Sequence, residues 1–120
     1  MLFGLGGYIP NVNTWDSLKL DERIPRILKF AEYPNVAMKA TAGPSLSREW
    51  YPFLDVRPLI ESYIDAYGID RMMWGTDWTR VTNASYRSGV DYLREADWLS
   101  DDLKVPLFST TARRIFNWPR

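Results

Sequence analysis

Residues 72–78, Met72-Met73-Trp74-Gly75-Thr76-Asp77-Trp78, decide how this chain is read. Three large apolar residues run into a glycine, a threonine and a single acid. A buried strand looks like this when it delivers one carboxylate to the mouth of a pocket. In parallel α/β architectures the functional groups gather at the carboxyl ends of the strands. Asp77 is therefore the first candidate for chemistry, and the remaining elements are placed around it.

Working back from Asp77, Gly68 closes a helix that Asp55 is expected to cap. Val56, Leu59, Ile60, Tyr63, Ile64 and Tyr67 recur on one helical face, and Pro58 falls in the first turn, where a missing N–H costs nothing. Upstream, residues 36–41 read as a second strand. Val36, Met38 and Ala40 face one way, and Ala37, Lys39 and Thr41 the other. Between strand and helix, residues 42–54 read as a long loop carrying Arg48, Glu49 and Trp50. Asp21 is placed as the cap of a helix with Ile24, Ile27, Leu28 and Ala31 on its stripe, stopped by Tyr33-Pro34-Asn35. Residues 1–20, with Gly4, Gly6, Gly7, Pro10, Asn11 and Asn13, read as an irregular entry segment.

Downstream of Asp77, a loop through Thr82 and Asn83 leads to a helix over residues 86–96, with Val90 and Leu93 as core contacts. Ser100-Asp101-Asp102 starts another helix. Pro106 falls where it should continue, so a kink or early stop is expected there. Thr110 or Thr111 is expected to cap a last helix over residues 112–116. Strands alternating with helices argue for an α/β fold with a parallel sheet. Two strands alone do not make a stable sheet buried on both faces.

Composition narrows the chemistry. The 120 residues hold 15 basic and 15 acidic side chains, interspersed, which excludes the basic footprint of a nucleic-acid binder. No apolar run approaches the roughly 18 residues of a membrane span. Residues 1–7 are apolar, but they lack a basic leader and are too short for a signal peptide. Cysteine and histidine are both absent. That removes disulfides, thiolate sites, a Ser-His-Asp triad and any histidine-ligated metal built from this polypeptide alone. A cytoplasmic location is expected.

Several linked stretches, in order, carry a resemblance. Tyr33-Pro34-Asn35-Val36-Ala37-Met38-Lys39-Ala40, then Tyr51-Pro52-Phe53-Leu54-Asp55, then residues 67–78 and finally Thr111-Ala112-Arg113-Arg114-Ile115-Phe116-Asn117-Trp118 resemble the C-terminal part of amidohydrolase family 2. The likeness runs from about residue 21 to 118. It implies a partial amidohydrolase-related domain over residues 1–120: the C-terminal portion of a (β/α)8 TIM barrel, about two βα units plus C-terminal helices. Residues 36–41 would be the seventh strand and 71–75 the eighth. A full barrel needs about 250 residues, so the chain is expected to supply roughly half of one.

Members of that family hydrolyse lactones, amides or related bonds, and some decarboxylate aromatic or muconate-type acids. The resemblance makes Asp77 the catalytic acid. It would also be a ligand of a divalent zinc or manganese ion, but only together with histidines on earlier strands that this chain lacks; no metal is expected on this chain alone. Trp78, Arg80, Lys39 and Arg48 are the candidate substrate-binding residues. Arg80 suits bidentate pairing with a carboxylate. Lys39 is of interest if it points into a desolvated interior, where its pKa would fall, and of less interest if it snorkels out at the strand end. Trp74 is expected in the core. Asp97, Asp101 and Asp102 read as a solvated, helix-capping face. The expected partner is a small-molecule substrate, with no nucleic acid and no membrane. The alternatives are a non-catalytic half-barrel that forms a homo-oligomer or pairs with a missing N-terminal half, and a decarboxylase of the same family.

Overall fold

The computed structural model describes residues 2–4 and 20–119. Three strands, β1 (Leu2–Gly4), β2 (Ala37–Ala40) and β3 (Met72–Trp74), form one parallel sheet in the order β1-β2-β3. Gly4 pairs with Lys39, and Lys39 in turn with Met73. The entry segment expected to be irregular over residues 1–20 thus holds a strand at Leu2–Gly4, which three residues ending in glycine are too short to signal. The Gly, Pro and Asn positions expected to make turns between residues 6 and 13 lie outside the described residues.

The helices are α1 (Leu20–Lys29), α2 (Gly43–Leu46), α3 (Arg57–Tyr67), α4 (Tyr86–Arg94), α5 (Asp101–Val105) and α6 (Thr111–Ile115). Helix α1 starts at Leu20, one residue before the acid expected to cap it, and ends in a 3-10 turn over Phe30–Glu32. The expected loop over 42–54 contains the short helix α2. Pro106 stops α5 as expected. With no N–H to give the carbonyl four residues back, the chain widens into a π turn, Pro106–Thr110, before resuming as α6. That turn sets Leu107 in the core and Phe108 against Trp74, ring centroids 5.2 Å apart.

The core lies on one side of the sheet. Met38, Ala40 and Met72 are each 0% exposed. They pack in one cluster with Ile60, Tyr63 and Tyr67 of α3, Leu93 of α4 and Leu107. Each of the buried Met, Ile and Leu side chains contributes about 1.5–3 kcal/mol by leaving water. On the face of β2 that carries Lys39, Ala37 and Thr41 are buried and Lys39 itself is exposed.

Two of the expected caps do other work. Val56, not Asp55, occupies the N-cap of α3. The Asp55 carboxylate instead turns back to the loop, accepting hydrogen bonds from the Ser47 hydroxyl and from the Arg48 N–H at 2.7 Å. Thr110 makes no side-chain cap on α6, and the Thr111 hydroxyl donates to the Ile69 carbonyl at 3.0 Å, tying α6 to the turn before β3.

Partial desolvation pushes the Asp55 carboxyl up, but the bonds from Ser47 and Arg48 outweigh it and hold its pKa below the ordinary value. A depressed folded pKa gives stability that is present above the unfolded value and lost as the pH falls through the folded one. Asp55→Asn is therefore expected to flatten the acid limb of the stability curve below about pH 4. Urea melts at pH 3 and pH 7 check this; an unchanged difference between wild type and variant would remove the assignment.

Candidate active site

Alternation along the two strand ends builds the site. Lys39 and Thr41 share one face of β2 and its extension, and Gly75 and Asp77 share one face beyond β3. The ladder continues past the strands: the Gly75 N–H donates to the Ala40 carbonyl at 3.4 Å and the Ala42 N–H to the Thr76 carbonyl at 3.2 Å. These bonds bring Thr41 beside Gly75, so close that a Cβ on Gly75 would lie 2.8 Å from Thr41 Cγ2.

Asp77 ends the extended run with φ 47° and ψ 48°, in the left-handed region. That conformation costs most L residues roughly 1–2 kcal/mol, less for Asp and Asn, whose short polar side chains tolerate it. The reversal starts the 3-10 turn Trp78–Arg80 and swings Arg80 back over the strand ends. The result is a cavity of about 420 Å³ lined by Lys39, Thr41, Gly75, Asp77 and Arg80.

Arg80 Nε lies 3.7 Å from Asp77 Oδ2, with both side chains about two-fifths exposed. An ion pair this open contributes at most about 1 kcal/mol. The cavity thus presents two cations, Lys39 and Arg80, and one carboxylate, a set suited to an anionic ligand held beside a proton acceptor. Lys39 is exposed and not enclosed in a desolvated interior.

Three sequence candidates, Asp77, Arg80 and Lys39, meet here, and two do not. Trp78 is 40% exposed and packs edge-on against Tyr86 with centroids 5.4 Å apart, and it is not among the lining residues. Arg48 is exposed in the loop after β2, its N–H tied to Asp55, and it too is outside the lining set. Trp50, beside it, is 88% exposed. Trp74 lies on the core side against Phe108. Thr41 and Gly75 were not singled out from the sequence, yet both follow from the period-2 rule once Lys39 and Asp77 are placed.

Among the described residues the other acids do not form a second centre. Asp91 is buried on α4 and paired with Arg94 at 2.5 Å and Arg87 at 3.2 Å. Asp97, Asp101 and Asp102 are exposed. Among the described residues no three of His, Cys, Asp and Glu come together as a metal site. A divalent metal therefore does not fit the described residues, because Asp77 would be its single ligand at this cavity.

A sequence model of the family described as amidohydrolase matches residues 18–118. The chain belongs to the amidohydrolase family. The same architecture recurs in solved structures. An amidohydrolase from Burkholderia multivorans, solved with bound zinc, superposes with a TM-score of 0.75 at 22% identity, over 98% of this chain and 44% of its own. A second crystal form, with bound HEPES, gives 0.73. A candidate 2-pyrone-4,6-dicarboxylic acid hydrolase from Pseudomonas putida gives 0.67 at 26% identity, over 80% of this chain and 36% of its own. No curated protein matches the sequence. The chain thus spans less than half the length of these solved relatives, and its α/β unit corresponds to part of their barrel fold. Among the described residues, no helix is long and apolar enough to cross a membrane.

Proposed function

We propose that β2 and β3 are the seventh and eighth strands of an amidohydrolase barrel, and that the cavity at their carboxyl ends is the C-terminal share of a hydrolase active site for a small cyclic dicarboxylate. The observation that carries this reading is the convergence of Lys39, Asp77 and Arg80 on one 420 Å³ cavity. Catalytic groups of barrel enzymes sit at that end of the strands. The dicarboxylate named for the Pseudomonas relative supports the substrate class.

In this reading Lys39 and Arg80 each hold a carboxylate, Arg80 in the bidentate manner its planar fork allows. Their charges orient the ring so that its ester carbonyl faces Asp77. Asp77 accepts a proton from the attacking water as the water oxygen bonds to the carbonyl carbon and the carbonyl π pair moves onto its oxygen. When that pair returns, the ring C–O bond breaks and the ring oxygen takes the proton back from Asp77. Its left-handed backbone fixes the direction in which the carboxylate leaves the strand. Thr41 and Gly75 form the floor. The 120-residue chain by itself binds such a ligand but lacks the groups that would complete turnover.

Titration calorimetry with isophthalate, a stable cyclic dicarboxylate, tests this. The wild-type chain is expected to bind it with a Kd of roughly 1 mM, as befits an open half-site. Lys39→Met and Arg80→Met should each weaken binding about tenfold, the equivalent of about 1.4 kcal/mol. Asp77→Asn should leave affinity unchanged or improve it, since it removes a like charge. Unchanged binding in both cation variants would sink the dicarboxylate assignment. Hydrolysis of 2-pyrone-4,6-dicarboxylate by the 120-residue chain, abolished by Asp77→Asn, would overturn the claim that its catalytic set is incomplete.

A further inference from the structure

Two loops border the cavity, one after β2 and one after β3, and a single side chain joins their far ends. Asn83 Nδ2 donates to the Pro44 carbonyl at 2.7 Å, across 39 residues of sequence. At the near end the same two loops are joined by the backbone bond from Ala42 to Thr76. Residues 77–82, which carry Asp77 and Arg80, are therefore hung between two fixed points on the β2 loop.

The acceptor side of this tie is rigid. Gly43 and Pro44 are buried. A Cβ on Gly43 would collide with the hydroxyl of Tyr92 and come within 2.8 Å of its ζ carbon, so the helix start is pressed against the hydroxyl end of that ring. Tyr92 is itself 5% exposed. Pro44 has its φ fixed by its ring. The donor side is not rigid in this way. Within residues 77–82 only Val81 is buried; the other five are exposed. The turn has two hydrogen bonds of its own, Arg80 N–H to Asp77 carbonyl at 2.9 Å and Val81 N–H to Trp78 carbonyl at 3.1 Å. Trp78 leans on Tyr86 and Val81 is buried, and the Asn83 amide is the side-chain bond that fastens the end of this loop to the loop after β2.

We infer that Asn83 is a positioning residue: its amide locks the loop after β3 onto the loop after β2 and so holds Arg80 at the cavity. Its effect on ligand binding rests on the dicarboxylate reading above; its effect on the loop does not. Asn83 makes no contact with the cavity and acts through Arg80. Losing the tie costs binding because the loop must then be ordered when the ligand arrives.

Amide hydrogen exchange and isophthalate titration on the 120-residue chain, with Asn83→Ala and Asn83→Asp, test the inference. Asn83→Asp keeps the shape but sets an acceptor against the Pro44 carbonyl. Both variants are expected to speed exchange at the Arg80 and Val81 amides at least tenfold, with exchange in β3 unchanged. Isophthalate should bind threefold to fivefold more weakly in both. Unchanged exchange at Arg80 and Val81 overturns the inference. So does faster exchange spread evenly over β3, which would mark Asn83 as a general stabiliser. If wild type does not bind isophthalate, the dicarboxylate reading falls, and the exchange measurement still decides the role of Asn83.

Discussion

Replacing Arg71 by methionine is expected to lower the free energy of unfolding by about 3–5 kcal/mol, a large part of the roughly 5–15 kcal/mol a domain possesses. The guanidinium of Arg71 reaches four backbone carbonyls: Tyr67 at 2.7 Å, Tyr33 at 2.9 Å, Ala31 at 3.0 Å and Val36 at 3.4 Å. It also lies 5.4 Å from the centre of the Tyr67 ring. These acceptors come from the end of α1, the entry to β2 and the last turn of α3, so one side chain closes the corner where three elements meet. A bond to a charged donor is worth about 1.5–3 kcal/mol, and a half-buried carbonyl left alone costs more than one solvated in the unfolded chain. The bond to Tyr33 is exposed and recoverable by water, which keeps the sum below four full bonds. Arg71→Lys keeps the charge but not the fork, so it should recover less than half the loss. Urea unfolding of the three proteins measures this. A methionine variant within about 0.5 kcal/mol of wild type would mean that the corner is held by packing alone.

The Arg71 clamp was invisible in the sequence for a physical reason. Three of its four acceptors are backbone carbonyls 35 to 40 residues away, and a carbonyl has no signature by residue type. What was legible obeyed local rules. Helix α3 was placed by its apolar period and its closing glycine, β2 and β3 by short apolar runs, and the break at Pro106 by a missing N–H. Lys39, Asp77 and Arg80 could be named because charged residues at strand ends and in the following turns stand out. The errors fell where a local signal had a distant competitor. Asp55 has the look of a helix cap, but Ser47 and the Arg48 N–H offer it partners eight and seven residues upstream. Thr111 likewise gives its hydroxyl to Ile69. Arg48 is a different case, and its role in a site stays a proposal: its backbone is tied to Asp55 and its side chain is outside the residues lining the cavity. Asn83 read as a turn residue because its partner, Pro44, lies on another loop. Sequence spacing thus located the strand ends, and nonlocal hydrogen bonds decided which side chains gather between them.

Gly75→Ala is expected to damage fold and cavity together. Gly75 is not in the left-handed region, so the requirement for glycine there is one of space. The added methyl would stand 2.8 Å from Thr41 Cγ2, about an ångström inside normal carbon contact. Thr41 is 7% exposed and β-branched, so its χ1 has little room to turn away. The strain must pass into the backbone between β2 and β3, where the Gly75–Ala40 and Ala42–Thr76 bonds hold the strand ends together. Overpacking of this kind costs about 1–3 kcal/mol. A shift of half an ångström there moves Asp77, two residues on, relative to Lys39 on the neighbouring strand. Isophthalate affinity should therefore fall at least tenfold at temperatures where the variant is still fully folded. A companion change makes the test specific: Thr41→Ser removes the methyl that the new Cβ would strike, and the double variant Gly75→Ala/Thr41→Ser should regain most of both losses. If the double variant is no better than Gly75→Ala alone, the clash is elsewhere and Gly75 is not the spacer between the two strand ends.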